Sequence, residues 1–155
     1  MQAKLSAEDT LAVHEVIARY AHINDNYQDN LEKLAQFRLV FSENIIWEGH
    51  HGSRIEHLEG LDAVLPRYAQ QANIVYRVDH HLTSTIITSF VDGQVRARTH
   101  FISVKDDRTA GSGDYLDVLE LTDDGWRIVE RKIVSRLPPP AEPGSADVYD
   151  GWEIL

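Results

Sequence analysis

The sequence predicts an α+β domain in which three helices come first and a long antiparallel meander follows. Three observations support this. Apolar residues recur at helical spacing before residue 40, two Asp-Gly turns (Asp92-Gly93 and Asp124-Gly125) cut the later half into hairpins, and the runs they flank exceed ten residues. Strands of that length imply a large, curved sheet. A curved sheet wrapped around a helix encloses a cone with a cavity.

Each element has a local cause. Ser6 with Asp9 forms a capping box that opens a first helix over residues 7–23, with Leu11, Ala12, Val13, Val16, Ile17, Ala18 and Ala21 at helical spacing. Asn24-Asp25-Asn26 is expected to break it, because short polar side chains compete for backbone groups. A second helix is predicted from Asp29, with Leu31, Leu34, Ala35 and Phe37 on one face and Ser42-Glu43-Asn44 ending it. Ile45 to Gly49 reads as a strand, and a turn at His50 to Ser53 leads to a hairpin partner over Arg54 to Leu58. Gly60 precedes a third helix, Leu61 to Gln71, in which Pro66 predicts a kink or a late start. After Asn73 the chain becomes strand-like: Arg77 to Phe90, Gln94 to Val104, Tyr115 to Leu121 and Trp126 to Arg136. Pro138-Pro139-Pro140 and Pro143-Gly144 end regular structure. Residues 1–136 are therefore read as one domain and 137–155 as a Pro-rich tail. Val148, Tyr149, Trp152, Ile154 and Leu155 predict that the tail packs on the body or on a partner chain.

Composition narrows the function. At 155 residues roughly 70% of the unfolded surface is buried, enough for a real core. With 15 Lys+Arg against 25 Asp+Glu, the formal charge of -10 repels phosphate backbones and anionic membranes. No nucleic-acid or membrane partner is expected. Cysteine is absent, which removes disulfides, thiolate chemistry and cysteine zinc sites. No apolar leader opens the sequence, and a cytoplasmic location is expected.

The chemistry-bearing pattern is split between two segments. Asp25 closes the first helix and His80 opens a strand, so the two meet only if the helix packs on the sheet. Meeting in a pocket, they form an Asp–His dyad able to move a proton near neutral pH. The competing role for Asp25 is a helix terminator. His80 and His81 point to opposite faces of a regular strand, and His80 is taken as the cavity residue because Leu82 and Ser84 share its face. A bulge would reverse that choice. Tyr20 is either a core aromatic or a donor to a substrate oxygen. His100 shares its strand face with Arg96, Arg98 and Ile102, with the face of Ala97, Thr99, Phe101 and Ser103 as the rival lining. Tyr115 and Asp117 share one face as candidate cavity polar groups, and Trp47 is a candidate wall. His50, His51 and His57 show no convergence toward a metal, and a solvated loop is the expected role. No metal or cofactor is expected.

Several segments together resemble the nuclear transport factor 2-like superfamily, and within it the SnoaL-like group. They are Arg19-Tyr20-Ala21 with Asp25, Phe41-Ser42-Glu43-Asn44-Ile45-Ile46-Trp47, Gly60-Leu61-Asp62-Ala63-Val64, His80-His81-Leu82-Thr83-Ser84 and Gly125-Trp126-Arg127-Ile128. The resemblance spans about residues 5–136. It implies a cystatin-like cone: three N-terminal helices on a curved, mixed, mainly antiparallel sheet. The superfamily holds dehydratases, a dehydrochlorinase, isomerases, polyketide cyclases and non-catalytic ligand-binding members. By position, its dehydratase-like site implies Asp25, His80, Tyr20 and His100 as catalytic, and Arg131 matches an arginine of some relatives. Trp47, Tyr115, Asp117 and Arg131 are then the candidate substrate-binding residues. The implied activity is a cofactor-independent lyase or isomerase acting on a small hydrophobic, ring-containing molecule. The alternative is a non-catalytic binding or dimerisation module. Such cones associate through the convex sheet face, so a homodimer is expected, with a trimer as the other arrangement.

Overall fold

The computed structural model describes residues 4–71 and 77–154; the expected strand character just after Asn73 lies outside them. Helix α1 runs Ala7–Asn26. Ser6 caps it by accepting from the Asp9 amide at 3.0 Å, and Asp9 in turn accepts from the Trp126 indole at 2.9 Å, which ties the helix start to the sheet. Val13, Val16, Ile17, Tyr20, Ile23 and Asn24 form its buried stripe, the i, i+3, i+4 pattern of a helix on a core. Asn24-Asp25-Asn26 does not break the helix as expected. Asn24 continues the buried stripe, and Asp25 finds its partner on a strand rather than on its own backbone.

The second helix differs from expectation. It is a 3-10 helix, Leu31–Leu39, capped by Asn30, and only Phe37 of it is buried. Ser42-Glu43-Asn44 do not terminate it but lie inside β1 (Phe41–His51), which begins with the buried Phe41. Strand β2 (Arg54–Glu59) pairs back across the predicted turn. Helix α2 (Leu61–Gln71) starts where predicted, with Pro66 exposed inside it and Leu61, Val64 and Tyr68 turned to the core.

Strands β3 (Val78–Val91), β4 (Gln94–Lys105), β5 (Ala110–Thr122) and β6 (Gly125–Leu137) complete a six-stranded sheet. Its order is β2-β1-β6-β5-β4-β3, with β1 parallel to β6 and every other pair antiparallel. The Asp92-Gly93 turn has φ of 52° and 80°, the left-handed pair a tight hairpin requires. Curvature has visible causes. Register shifts fall at Thr83 and Thr88 in β3 and at Ser112/Gly113 in β5. At Gly113 a Cβ would stand 2.3 Å from the Val134 carbonyl and 2.7 Å from the Phe101 ring, so only glycine lets the strands close in. The extra residue at Thr83 also corrects one expectation. His80 and Leu82 pair with Ser103 and Phe101 on the concave face, but Ser84 pairs with His100 on the convex face.

The concave face and the helices enclose the main core. On the convex face, Trp152 packs with Leu116, Val118 and Val134, beneath Arg96 and Lys132 at 5.0 and 5.2 Å from its ring. No helix among the described residues is long and apolar enough to cross a membrane.

Candidate active site

The cone holds a cavity of about 820 Å³, the size of a small-molecule site. Its floor is aromatic and aliphatic: Trp47, Tyr68, Phe101, Tyr115 and Ile133. Asn24, Gln28, His80, Ser103, His51 and Ser135 add polar groups to the walls.

Helix α1 delivers one wall. Its last turn docks on the start of β3, the edge strand of the sheet, through two clamps. Gln28 accepts from the Val78 amide at 3.0 Å and donates to the Val78 carbonyl at 2.7 Å, completing that strand edge as a neighbouring strand would. Asp25 accepts from the His80 amide at 2.9 Å with one oxygen, and its other oxygen lies 2.8 Å from His80 Nδ1. The Asn24 amide group lies 3.0 Å from the same nitrogen. With Nδ1 committed to the carboxylate, Nε2 has no protein partner among the described residues and is left to the cavity that His80 lines. His81 is exposed on the other face.

Two of the lining residues form a phenol network. Tyr20 and Tyr68 are both buried, their hydroxyls 2.8 Å apart, and the Trp47 indole donates to the Tyr68 hydroxyl at 3.2 Å. Burial raises both phenols above the ordinary tyrosine value, so both keep their hydrogens. The count is then forced. One O–H hydrogen bridges the two phenols, Trp47 fills an acceptor position, and the second O–H hydrogen has no acceptor among the described residues.

The remaining candidates separate. Trp47 and Tyr115 line the cavity. Asp117 and Arg131 do not: they form a fully buried pair with two hydrogen bonds of 2.7 Å, and the guanidinium stands between the Tyr20 and Tyr115 rings, 3.7 and 4.4 Å from their centroids. Burial acts to lower the Arg131 value, but the Asp117 charge and hydrogen bonds outweigh it and hold the guanidinium above its ordinary range. The pair supports the floor from below, which corrects its assignment to substrate contact. His100 is also corrected. It lies on the convex face and pairs with Asp114, which also accepts from Tyr149 of the tail at 2.7 Å. The rival face, Thr99, Phe101 and Ser103, turns inward because the cone needs its apolar residues inside. His50 and His57 lie beside the Glu48 carboxylate at 2.7 and 3.0 Å, and among the described residues no group of three ligands suited to a metal occurs.

Sequence reasoning passed over Tyr68, Asn24 and His51. Tyr68 was readable as i+7 from Leu61 and i+4 from Val64. His51 was read as turn but closes β1, lines the cavity and contacts Ser135 at 2.6 Å.

Comparison with known proteins agrees with this architecture. A family model described as the SnoaL-like domain matches residues 5–132. A protein described as an aromatic ring hydroxylase from Novosphingobium aromaticivorans is similar in structure, with a TM-score of 0.71 and 21% identity over 87% of this chain and 94% of that one. A cystatin-like-fold protein of unknown function from Nostoc punctiforme has a TM-score of 0.69 and 19% identity over 89% and 98%. A protein described as a scytalone dehydratase from Novosphingobium aromaticivorans has a TM-score of 0.64 and 16% identity, again over 89% of this chain and 97% of that one. At these identities the likeness is one of fold. No curated protein matches the sequence.

Proposed function

Because the chain belongs to the SnoaL-like family, we propose that it is a cofactor-independent lyase or isomerase that moves a proton on a small, ring-containing hydrophobic substrate. The observation that carries this reading is the state of His80: Nδ1 held at 2.8 Å by Asp25, Nε2 left to an aromatic cavity. In the proposed step, Nε2 takes a proton from the carbon next to a carbonyl, and the electron pair moves onto the carbonyl oxygen. The unassigned O–H hydrogen of the Tyr20–Tyr68 couple donates to that oxygen as it gains charge. Asp25 balances the imidazolium that forms. The enolate then returns its electrons in one of two ways. It expels a hydroxyl from the next carbon, which leaves as water with the His80 proton, or it is reprotonated at another carbon and the double bond has moved.

The test is a screen of β-hydroxy ketones and β,γ-unsaturated ketones for appearance of the conjugated enone absorbance, with parent, His80→Ala and Asp25→Asn proteins of equal circular dichroism. Turnover is expected in the parent and lost in both variants. Activity retained in both would sink the dyad.

A second reading has its own support. Asp25 also accepts from the His80 backbone amide, beside the Gln28 clamp on Val78, so the cluster latches an edge strand. A non-catalytic binding module would keep that latch for stability alone, and the same variants would then lower the melting temperature with no turnover to lose. For association, the proposed contact between two copies is the convex side of β3 and β4, where Ile86, Ile102 and Val104 stand exposed beyond the tail. Light scattering of Ile102→Asp against the parent tests it: a monomer in the variant and a homodimer in the parent are expected.

A further inference from the structure

The chain carries 25 Asp+Glu against 15 Lys+Arg, yet its cavity has the opposite sign. Among the described residues, Arg67 and Lys105 line the cavity and no Asp or Glu does. Asp25 is turned onto His80 instead. A cleft lined by one sign of charge between low-dielectric walls focuses the field and gathers ligands of the other sign. Arg67, on helix α2, is held in a fixed place. Its side chain is 21% exposed, so it is neither sealed in the core nor loose in water. Two contacts fix it. Nε donates to both oxygens of Glu56 on β2 at 3.1 Å, and the guanidinium carbon lies 5.4 Å from the centroid of the Trp47 ring on the cavity floor.

The hydrogen count leaves a binding edge. A guanidinium has five N–H groups, and Glu56 takes the one on Nε. The four on Nη1 and Nη2 make no hydrogen bond among the described residues, and their outer edge presents two parallel N–H bonds, the fork that matches the two oxygens of a carboxylate. Glu56 does not cancel the field. It lines a small neighbouring cleft with Arg54 rather than the cavity itself. Burial first, then the Arg54 and Arg67 charges, hold the cavity residue His51 below the ordinary histidine value, and Glu56 opposes them less strongly. Trp47, Tyr68, Phe101, Tyr115 and Ile133 surround the rest of the space. An anion bound there therefore carries an apolar body, which a free inorganic ion lacks.

We infer that the cavity takes an organic anion: a carboxylic acid with an apolar body, its carboxylate held by the Nη1–Nη2 edge of Arg67. That the acid is a substrate rests on the proposed function; that it binds rests on Arg67. The experiment is calorimetric titration at neutral pH of benzoate, cinnamate and 2-naphthoate, each against its uncharged amide. The proteins are the parent, Arg67→Gln, Glu56→Gln and His80→Ala, matched by circular dichroism. In the parent at least one acid is expected to bind about tenfold more tightly than its amide, the effect of a hydrogen bond to a charged group. Arg67→Gln should abolish that preference. Glu56→Gln keeps an acceptor for Nε and removes the competing charge, so the preference should grow, which a purely structural Arg67–Glu56 pair does not predict. His80→Ala should keep it. Amides that match their acids in the parent, a preference that survives Arg67→Gln, a fall in Glu56→Gln, or no acid bound at millimolar concentration would each overturn the inference. Turnover that survives in His80→Ala would sink the proposed chemistry while leaving these affinity ratios untouched, so the two failures read differently.

Discussion

Replacing Asp117 with Ala is the sharpest test of how the cavity floor is built. Both members of the Asp117–Arg131 pair are fully buried, and the two 2.7 Å bonds satisfy Nε and Nη2 of the guanidinium. Nη1 already has no hydrogen-bond partner among the described residues. Without Asp117 the cation keeps its proton and loses the carboxylate that pairs with it, which costs about 3–5 kcal/mol. For a chain of this size each kcal/mol lowers the melting temperature by about 2–4 °C, so a fall of about 6–20 °C is expected. Urea unfolding followed by tryptophan fluorescence measures it. The double variant Asp117→Leu with Arg131→Met removes both charges and keeps the volume filled, and it should return to within about 2 kcal/mol of the parent. It should also keep the parent's turnover in the ketone screen, because neither residue lines the cavity. A cost below about 1 kcal/mol for Asp117→Ala would show that Arg131 reaches water or another acceptor, and the buried-pair argument would fail. Stability recovered without turnover would return Arg131 to the ligand contacts.

Three further outcomes follow from the same geometry. Tyr20→Phe with Tyr68→Phe removes both phenol donors, whereas either change alone leaves one O–H free; turnover of the double variant should fall about 100-fold or more, as when one oxyanion donor is lost, with His80 chemistry otherwise intact by proton-exchange measurement. Burial raises the phenols of Tyr20, Tyr68 and Tyr115, so the folded chain holds these protons more tightly than the unfolded one, whose phenols titrate near ~10. Stability is therefore complete below that pH and falls as pH rises above it, and tyrosinate absorbance should show these three appearing only with unfolding. Gly113→Ala forces a Cβ against the Val134 carbonyl and the Phe101 ring; a loss of about 1–3 kcal/mol in urea unfolding is expected, and a neutral effect would mean that the curl of β5 is not set there.

What was legible in the sequence follows the physics of each signal. The Asp25–His80 meeting was readable because a long helical stripe must dock somewhere and β3 opens with its polar residues. The end of α1 was not readable, since Asn24 and Asp25 look like helix breakers until His80 supplies the partner of both. Period-2 reasoning placed His80 correctly only because the extra residue at Thr83 falls after it; the same bulge moved Ser84 to the other face. For His100 the alternation carried no sign of which face was concave. Arg98 on its face pointed to the convex side, but the buried Asp114 that gathers both is known only from the fold. Pro66 drew attention away from the regular Leu61, Val64, Tyr68 spacing that puts a phenol beside Tyr20. The residues that position the site were thus legible wherever one element's periodicity decided them. Where the decision lay in a contact between elements distant in sequence, as for the Tyr20–Tyr68 couple or for His51 and Ser135, only the closed cone brings the partners together, and it is these contacts that select what the cavity can hold.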